Sequence, residues 1–331
     1  MCFAGAILFC AGTTGLKAAT NEVWRGVHLW LDNDVAARSL VKTLPALAAA
    51  GANTLVLEIN YSFEFQTHPE LRNPHFVTRA TAQALAVAAR KCSIRLIPEF
   101  NCLGHQSFDQ RVEPLLKLHP SFSETPLSVM AETNFYCLSW CPRAAGLNEI
   151  VFALIDEMTE AFEAAAVHVG MDEVYFIGDD RCPRCHGTKP AELFAAQVNV
   201  LHAHIVGEKK WQMLMWADRV IGPKFQGYAQ FDHARNDTSA AMDLIPKDIV
   251  MCDWHYEWKK NYPSVPYLAG KGFKVWPAGF LPLTAAQAFS DFALENRAKV
   301  IGYLATTWNQ TGISNAPEWP PIKEILPRWK N

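Results

Sequence analysis

The stretch AVHVGMDEV, residues 166–174, holds two adjacent carboxylates, Asp172 and Glu173, directly after an apolar run. Two neighbouring acids can divide the work of a hydrolytic reaction. One donates and recovers a proton, while the other stays ionised and stabilises positive charge. Val167 and Val169 are β-branched, as a buried strand prefers. Gly170 permits a kink or a close approach just before the acids. Consecutive strand residues point to opposite faces, so both acids serve one site only if the strand ends here and the backbone turns. An ordinary solvated loop is the competing reading of a bare Asp-Glu pair.

These acids need elements to position them. The chain has 331 residues, half of them hydrophobic, which is ample for one large core. Eight strand-like segments recur, at residues 24–31, 54–61, 94–101, 167–172, 212–217, 249–255, 274–277 and 300–307. Their apolar runs read as strands buried on both faces, as parallel sheets require. Amphipathic helical patterns lie between them, at residues 34–50, 79–91, 147–165, 191–206 and 284–296. The first is expected to start at an Asx cap and stop at Gly51. Eight alternations without a composition break predict an α/β fold, a single (β/α)8 TIM barrel over residues 21–331. Chemistry in such barrels sits at the C-terminal strand ends. The predicted ends carry Glu99, Asn101 and His105; Asp172 and Glu173; Trp216 and Asp218; Asp253, Trp254, His255 and Tyr256; Trp276; and Trp308, Asn309 and Gln310.

Four segments carry a family resemblance. His168, Gly170, Asp172 and Glu173 form His-x-Gly-x-Asp-Glu, which resembles the catalytic signature of glycoside hydrolase family 20, the β-N-acetylhexosaminidases. Pro98, Glu99, Gly104 and His105 resemble that family's third-strand motif. MWADRV, residues 215–220, and TTWNQ, residues 306–310, resemble later strand ends, most closely those of the hexosaminidase D branch. The resemblance implies an exo-acting, retaining hydrolase of terminal N-acetylhexosamine in which the substrate's own acetamido oxygen is the nucleophile. It gives Glu173 the acid/base role, with a pKa lifted toward neutrality, and Asp172 the role of orienting and stabilising the acetamido group. It makes Trp308 a sugar platform, Trp254 a wall for the acetamido group and Tyr256 the hydroxyl that holds its oxygen. Trp216, Asp218 and Gln310 join the substrate-binding rim, and His105 and His168 become partners of the acids. The chemistry implied needs no cofactor.

The sequence departs from the family at three places. Many members carry Trp-x-Glu on the last strand, where this chain has Trp308-Asn309-Gln310. Asn101 and Leu103 stand where many members have Asp and Pro, and Asp32 lacks the usual Arg partner. These departures leave hydroxyl recognition, and with it the choice of sugar, open, while the Asp-Glu pair is untouched. Two alternatives stay open: a carbohydrate-binding or inactive barrel, and a two-carboxylate glycosidase in which Glu99 or Asp218 partners Glu173.

Cys182 and Cys185 form a Cys-Pro-x-Cys-x-Gly pattern, and Cys137 and Cys141 a second close pair. Two pairs on successive loops read as one four-thiolate structural zinc site, with disulfides or inert thiols as the alternative. The formal charge of −3 and the lack of a basic run give no support for nucleic acid as a partner. Residues 1–20 contain a short apolar run, residues 3–11, that resembles a signal peptide and is too short to span a membrane. A periplasmic or secreted protein is expected, with cytoplasmic residence as the alternative.

Overall fold

The computed structural model describes residues 22–108, 111–128, 136–225 and 227–330. The expected signal segment, residues 1–20, lies outside the described residues. Eight strands close into a barrel: β1 (Trp24–Trp30), β2 (Thr54–Glu58), β3 (Arg95–Cys102), β4 (Ala166–Gly170), β5 (Gln212–Trp216), β6 (Val250–Trp254), β7 (Lys274–Gly279) and β8 (Gly302–Thr306). Each strand pairs in parallel with its successor, and β8 closes on β1. All-parallel pairing requires crossovers, and helices supply several of them. They include α1 (Asp34–Ala49), α2 (Arg79–Lys91), α3 (Leu147–Ala161), α4 (Pro190–His202), α5 (Ser264–Gly270) and α6 (Leu283–Glu295).

The expected barrel is present, and its boundaries differ in instructive ways. The cap of α1 is Asn33, whose side chain accepts from the Ala36 N–H at 2.9 Å, while Asp34 accepts from the Thr78 N–H. The helix stops before Gly51, whose φ of +98° is the left-handed conformation glycine adopts freely. α4 ends sooner than its apolar pattern, because the chain widens into a looser turn over Ala203–Glu208. Among the described residues, no helix is long and apolar enough to cross a membrane.

The barrel lumen is packed with Val56, Ile97, Leu214, Trp216, Cys252, Trp276 and Leu304, so it is a core and not a pore. A larger apolar layer fills the space between strands and helices. Trp276, expected at the rim, belongs to the lumen instead. It is fully buried, its indole donates to the Trp24 carbonyl at 3.3 Å, and any Cβ on Gly26 would strike its ring.

One irregularity aims the site. β3 and β4 pair Glu99 with His168 and Cys102 with Gly170, so β3 carries one extra residue between these points. Such a bulge bends its strand and redirects side chains. It presses Asn101 against Gly170, where an added Cβ would lie 2.4 Å from the Asn101 Oδ1.

Candidate active site

β4 stops at Gly170, two residues before the expected end at Asp172, because the backbone leaves the extended region there. Gly170, Met171 and Glu173 have φ of +64°, +71° and +50°. Left-handed backbone at two non-glycine residues is held only where the surroundings over-determine it. Gly104 supplies part of that constraint, since a Cβ there would lie 2.6 Å from the Asp172 carbonyl. Cys137 supplies more: its sulfur accepts from the His105 N–H at 3.0 Å, and its thiol donates to the Glu173 carbonyl at 3.4 Å. The turn brings the two adjacent acids to one side.

The His105 imidazole sits between them, with Nε2 at 3.1 Å from Asp172 Oδ2 and 3.3 Å from Glu173 Oε2. Glu173 Oε2 also accepts from the Tyr136 hydroxyl, and Oε1 from the Tyr175 hydroxyl at 3.1 Å. The Glu173 N–H donates to Asp218 Oδ2 at 3.0 Å. Asp172 is 7% exposed, and its second oxygen, Oδ1, is buried with no hydrogen-bond partner among the described residues. A buried acceptor without a donor is costly, so this oxygen is primed for an N–H brought from outside.

Electrostatics correct one expectation. Burial pushes the Glu173 carboxyl up, but the hydrogen bond and charge of His105, the Tyr136 hydroxyl and the Arg219 guanidinium outweigh it and hold the group below its ordinary value. The lift toward neutrality expected from an apolar setting is absent because the pocket is lined with donors. Burial would lower His105, yet Cys137, Asp172 and Glu173 raise it well above its ordinary range. Asp218 is pushed up to about 6, chiefly by burial, with Arg219 opposing and the Asp172 and Glu173 charges adding.

The remaining expected site residues fall into two groups. Asp218 is buried and joins the acids through Glu173; it also accepts from Arg219 Nε at 2.5 Å and faces the Trp254 indole N–H at 3.4 Å. Trp254 lies beside Tyr256, ring centroids 5.1 Å apart, and the Tyr256 hydroxyl accepts from Trp308 Nε1 at 2.7 Å. Trp308 is half-buried and packs on Trp216, centroids 5.5 Å apart. Trp216 is fully buried and donates to Glu99 Oε1 at 2.8 Å, making it a floor beneath the site. His168 likewise contacts Glu99 Oε1 at 3.1 Å and accepts from the Gly170 N–H. Gln310 stands apart, exposed on the turn after β8, where its N–H donates to the Thr307 carbonyl. Near it, Asn309, Trp30 and Asp32 line an open cleft of about 780 Å³ that does not include the two acids.

The cysteine grouping needs correction. Cys141, Cys182 and Cys185 come together with Glu124, one donor atom from each within 4.8 Å of the others. Cys137 does not join them, being committed to His105 and Glu173. The chain from Cys137 to Cys141 is not coiled, and extended backbone advances about 3.3 Å per residue, which carries the two sulfurs apart. Sequence reasoning also missed Tyr136, Tyr175, Arg219 and Glu124. Tyr175 and Arg219 lie within two residues of acids already singled out, whereas Tyr136 and Glu124 sit in a long loop without a motif.

Comparison with known proteins gives concordant matches. The description "Glycosyl hydrolase family 20, catalytic domain" fits residues 25–275. A beta-hexosaminidase of Vibrio furnissii is 24% identical over 314 residues, covering 90% of this chain and 45% of that protein. Hexosaminidase D of Bos taurus is 26% identical over 147 residues, covering 44% of this chain and 39% of that one. The chain thus spans less than half the length of these curated relatives. A chitobiase structure from Flavobacterium johnsoniae superposes with a TM-score of 0.63 at 18% identity, covering 93% of this chain and 48% of that chain. At that identity the likeness concerns the fold.

Proposed function

This chain belongs to glycosyl hydrolase family 20, and from that premise we propose that it is an exo-acting, retaining β-N-acetylhexosaminidase. Its substrate is a glycan or glycoconjugate ending in N-acetylhexosamine. The observation that carries the reading is the buried, unpartnered Oδ1 of Asp172 beside Glu173. An acetamido N–H is the donor this oxygen lacks. Accepting it turns the acetamido oxygen toward the anomeric carbon. That oxygen attacks, the glycosidic bond breaks, and Glu173 gives its proton to the leaving oxygen. Asp172 remains ionised beside the positive oxazolinium ring, a stabilisation realised only as charge develops. Water then enters at the anomeric carbon, Glu173 takes its proton, and the ring reopens with retention.

His105 gives both acids one shared cationic neighbour. Its pull on Glu173 must be offset when substrate displaces water and buries the carboxyl further, since only the protonated form donates. Tyr256 and Trp254 are assigned to the acetamido group, Trp308 to the sugar face, and Trp216 and Asp218 to supporting contacts. Gln310 is assigned no direct contact with the reacting sugar. Chemistry of this family needs no cofactor, and a metal at the thiol cluster would brace loops away from the reacting atoms.

The two-carboxylate alternative is disfavoured by the partners of its candidate nucleophiles. Glu99 is engaged by Trp216, His168 and His28, and Asp218 by Arg219, Trp254 and the Glu173 N–H. An aryl-glycoside panel of glucose, GlcNAc and GalNAc derivatives tests the proposal. Turnover confined to the two N-acetyl sugars is expected. Glucoside turnover at a similar rate, or no turnover of any member, overturns it. We further propose that the protein is exported, from the apolar run in residues 3–11. Recovery in the cytoplasm with residues 1–20 intact would contradict that.

A further inference from the structure

The cluster of Glu124, Cys141, Cys182 and Cys185 takes no part in the chemistry above. All four residues are buried, with exposures of 1%, 0%, 1% and 0%. Cys141 Sγ lies 3.1 Å from Cys185 Sγ and 3.6 Å from Cys182 Sγ. Sulfurs bound to one tetrahedral zinc at about 2.3 Å stand roughly 3.7 Å apart, whereas disulfide sulfurs are about 2.05 Å apart. The Cys141–Cys182 spacing matches the first geometry, and the Cys141–Cys185 spacing needs to open by only about half an ångström to match it.

The surroundings suit anionic sulfur. The backbone N–H groups of Arg184 and Cys185 point at the Cys182 sulfur, and that of Arg143 at Cys141. The Arg184 Nε donates to Cys141 Sγ at 3.2 Å, while its Nη2 is anchored on the Ser121 carbonyl at 2.7 Å. Glu124 provides a second, independent observation. Its Oε1 accepts from the Asp179 N–H at 3.1 Å, but its buried Oε2 has no hydrogen-bond partner among the described residues, with the Cys182 and Cys185 thiols beside the carboxylate. A buried carboxylate oxygen with no nitrogen or oxygen donor, facing only thiols, is a poor arrangement for a core and a complete one for a thiophilic cation.

We propose that Glu124, Cys141, Cys182 and Cys185 form a closed structural zinc site, three sulfurs and one carboxylate oxygen. Binding releases the thiol protons to solvent and involves no redox change. All four positions are filled by protein, so the metal activates no water. Its effect is mechanical. Glu124 and Cys141 belong to the long excursion after β3 that also carries Tyr136 and Cys137, and Cys182 and Cys185 to the loop after β4 that also carries Glu173. One ion therefore clasps the two loops whose side chains meet at the catalytic acid. This inference stands on the cluster alone and does not depend on the substrate.

The test uses the full chain, expressed with zinc in the medium and purified in reductant without chelator. Wild type and Cys137→Ser are each expected to hold about one zinc per chain by elemental analysis. Cys185→Ser and Glu124→Gln are expected to lose it, wholly or on brief exposure to a chelator. Should Cys185→Ser fail to fold, cobalt loading of wild type gives a separate readout, the absorption of tetrahedral cobalt bound to thiolates. Stripping the metal should lower Tm and expose the segment around residues 136–146 to protease. The proposal is overturned by wild-type protein free of zinc with its thiols intact or with a Cys141–Cys185 disulfide, by zinc that survives Cys185→Ser, or by zinc lost from a folded Cys137→Ser.

Discussion

Two pairs of largely buried carboxylates lie in this barrel, and they are held in opposite ways. Glu58 ends β2, and Glu99 lies within β3 just before its bulge. Glu58 Oε1 accepts from the amides of Asn60 and Asn101, each at 3.0 Å, and Glu99 Oε1 from Trp216. Their remaining oxygens share the His28 Nε2, at 3.3 and 3.2 Å. These contacts are ion pairs and not hydrogen bonds, so Glu58 Oε2 and Glu99 Oε2 also lack a hydrogen-bond donor among the described residues, while His168 and His28 hold Glu99 far below the usual carboxylate range despite its burial. Asp172 and Glu173 instead sit on a turn in which Met171 and Glu173 have left-handed backbone, share one histidine, and leave Asp172 Oδ1 unmatched. One pair is thus tied to a buried histidine within the barrel, and the other is carried on a turn at its rim, where a substrate can reach the unmatched oxygen.

Substitutions can break this contrast, and the largest effect is expected at the acid. Glu173→Gln should keep the fold and lose roughly 10²–10⁴-fold in turnover of substrates with poor leaving groups. The loss should be smaller with activated aryl groups, which need little protonation. Wild-type cleavage of natural linkages by this variant would remove Glu173 from the role. His105→Gln should cost less activity and change its pH dependence. Removing the cation that holds Glu173 down raises the carboxyl, so the limb of the kcat/KM profile set by Glu173 should move to higher pH. An unmoved limb would show that His105 only packs.

Gly170→Ala asks whether the turn depends on glycine. The Cβ would meet Asn101 at 2.4 Å, on a residue with φ of +64°, so a loss of roughly 1–3 kcal/mol is expected in denaturant unfolding. Unchanged stability would mean that β3 yields easily. The smallest effect concerns the Glu58–Glu99 pair. Burial opposes protonation of His28, but Glu58 and Glu99 raise it to about 9 in the folded chain, from 6.5. The folded-state value is the higher one, so its stabilisation is full below about pH 6.5 and is lost as pH rises through about 9. His255, raised to about 9 against burial by Asp253 and Asp232, acts in the same window. His28→Gln should therefore flatten part of the fall in Tm between these pH values. An identical slope in the variant would place that fall elsewhere.

How much of this was legible in sequence follows from how local each feature is. The eight strands were readable because buried parallel strands are continuous apolar runs, and HVGMDEV because the acids and Gly170 lie within a few residues of one another. The direction of the Glu173 shift was not, because it depends on His105 and on Tyr136, 37 residues away in a loop without periodicity. The same loop misled the cysteine reading. Close spacing made Cys137 and Cys141 look like a pair, yet the uncoiled chain between them sends one sulfur to the catalytic turn and the other to Glu124. Trp276 was placed at the rim by its neighbourhood in sequence, and its side chain instead fills the lumen against Gly26.

Asp172 Oδ1 is assigned its missing hydrogen bond from the substrate's acetamido group, which is itself the nucleophile. The most direct measurement is inhibition by a thiazoline analogue of the bicyclic intermediate, compared between wild type and Asp172→Asn. An amide retains the size of the side chain but carries no charge to set against the oxazolinium. Wild type is expected to bind the thiazoline far more tightly than GlcNAc, and Asp172→Asn to stay folded, lose activity and lose this preference. No thiazoline inhibition of wild type, together with a 2-deoxy-2-fluoro sugar trapped covalently on Glu99, Asp172 or Asp218, would contradict it.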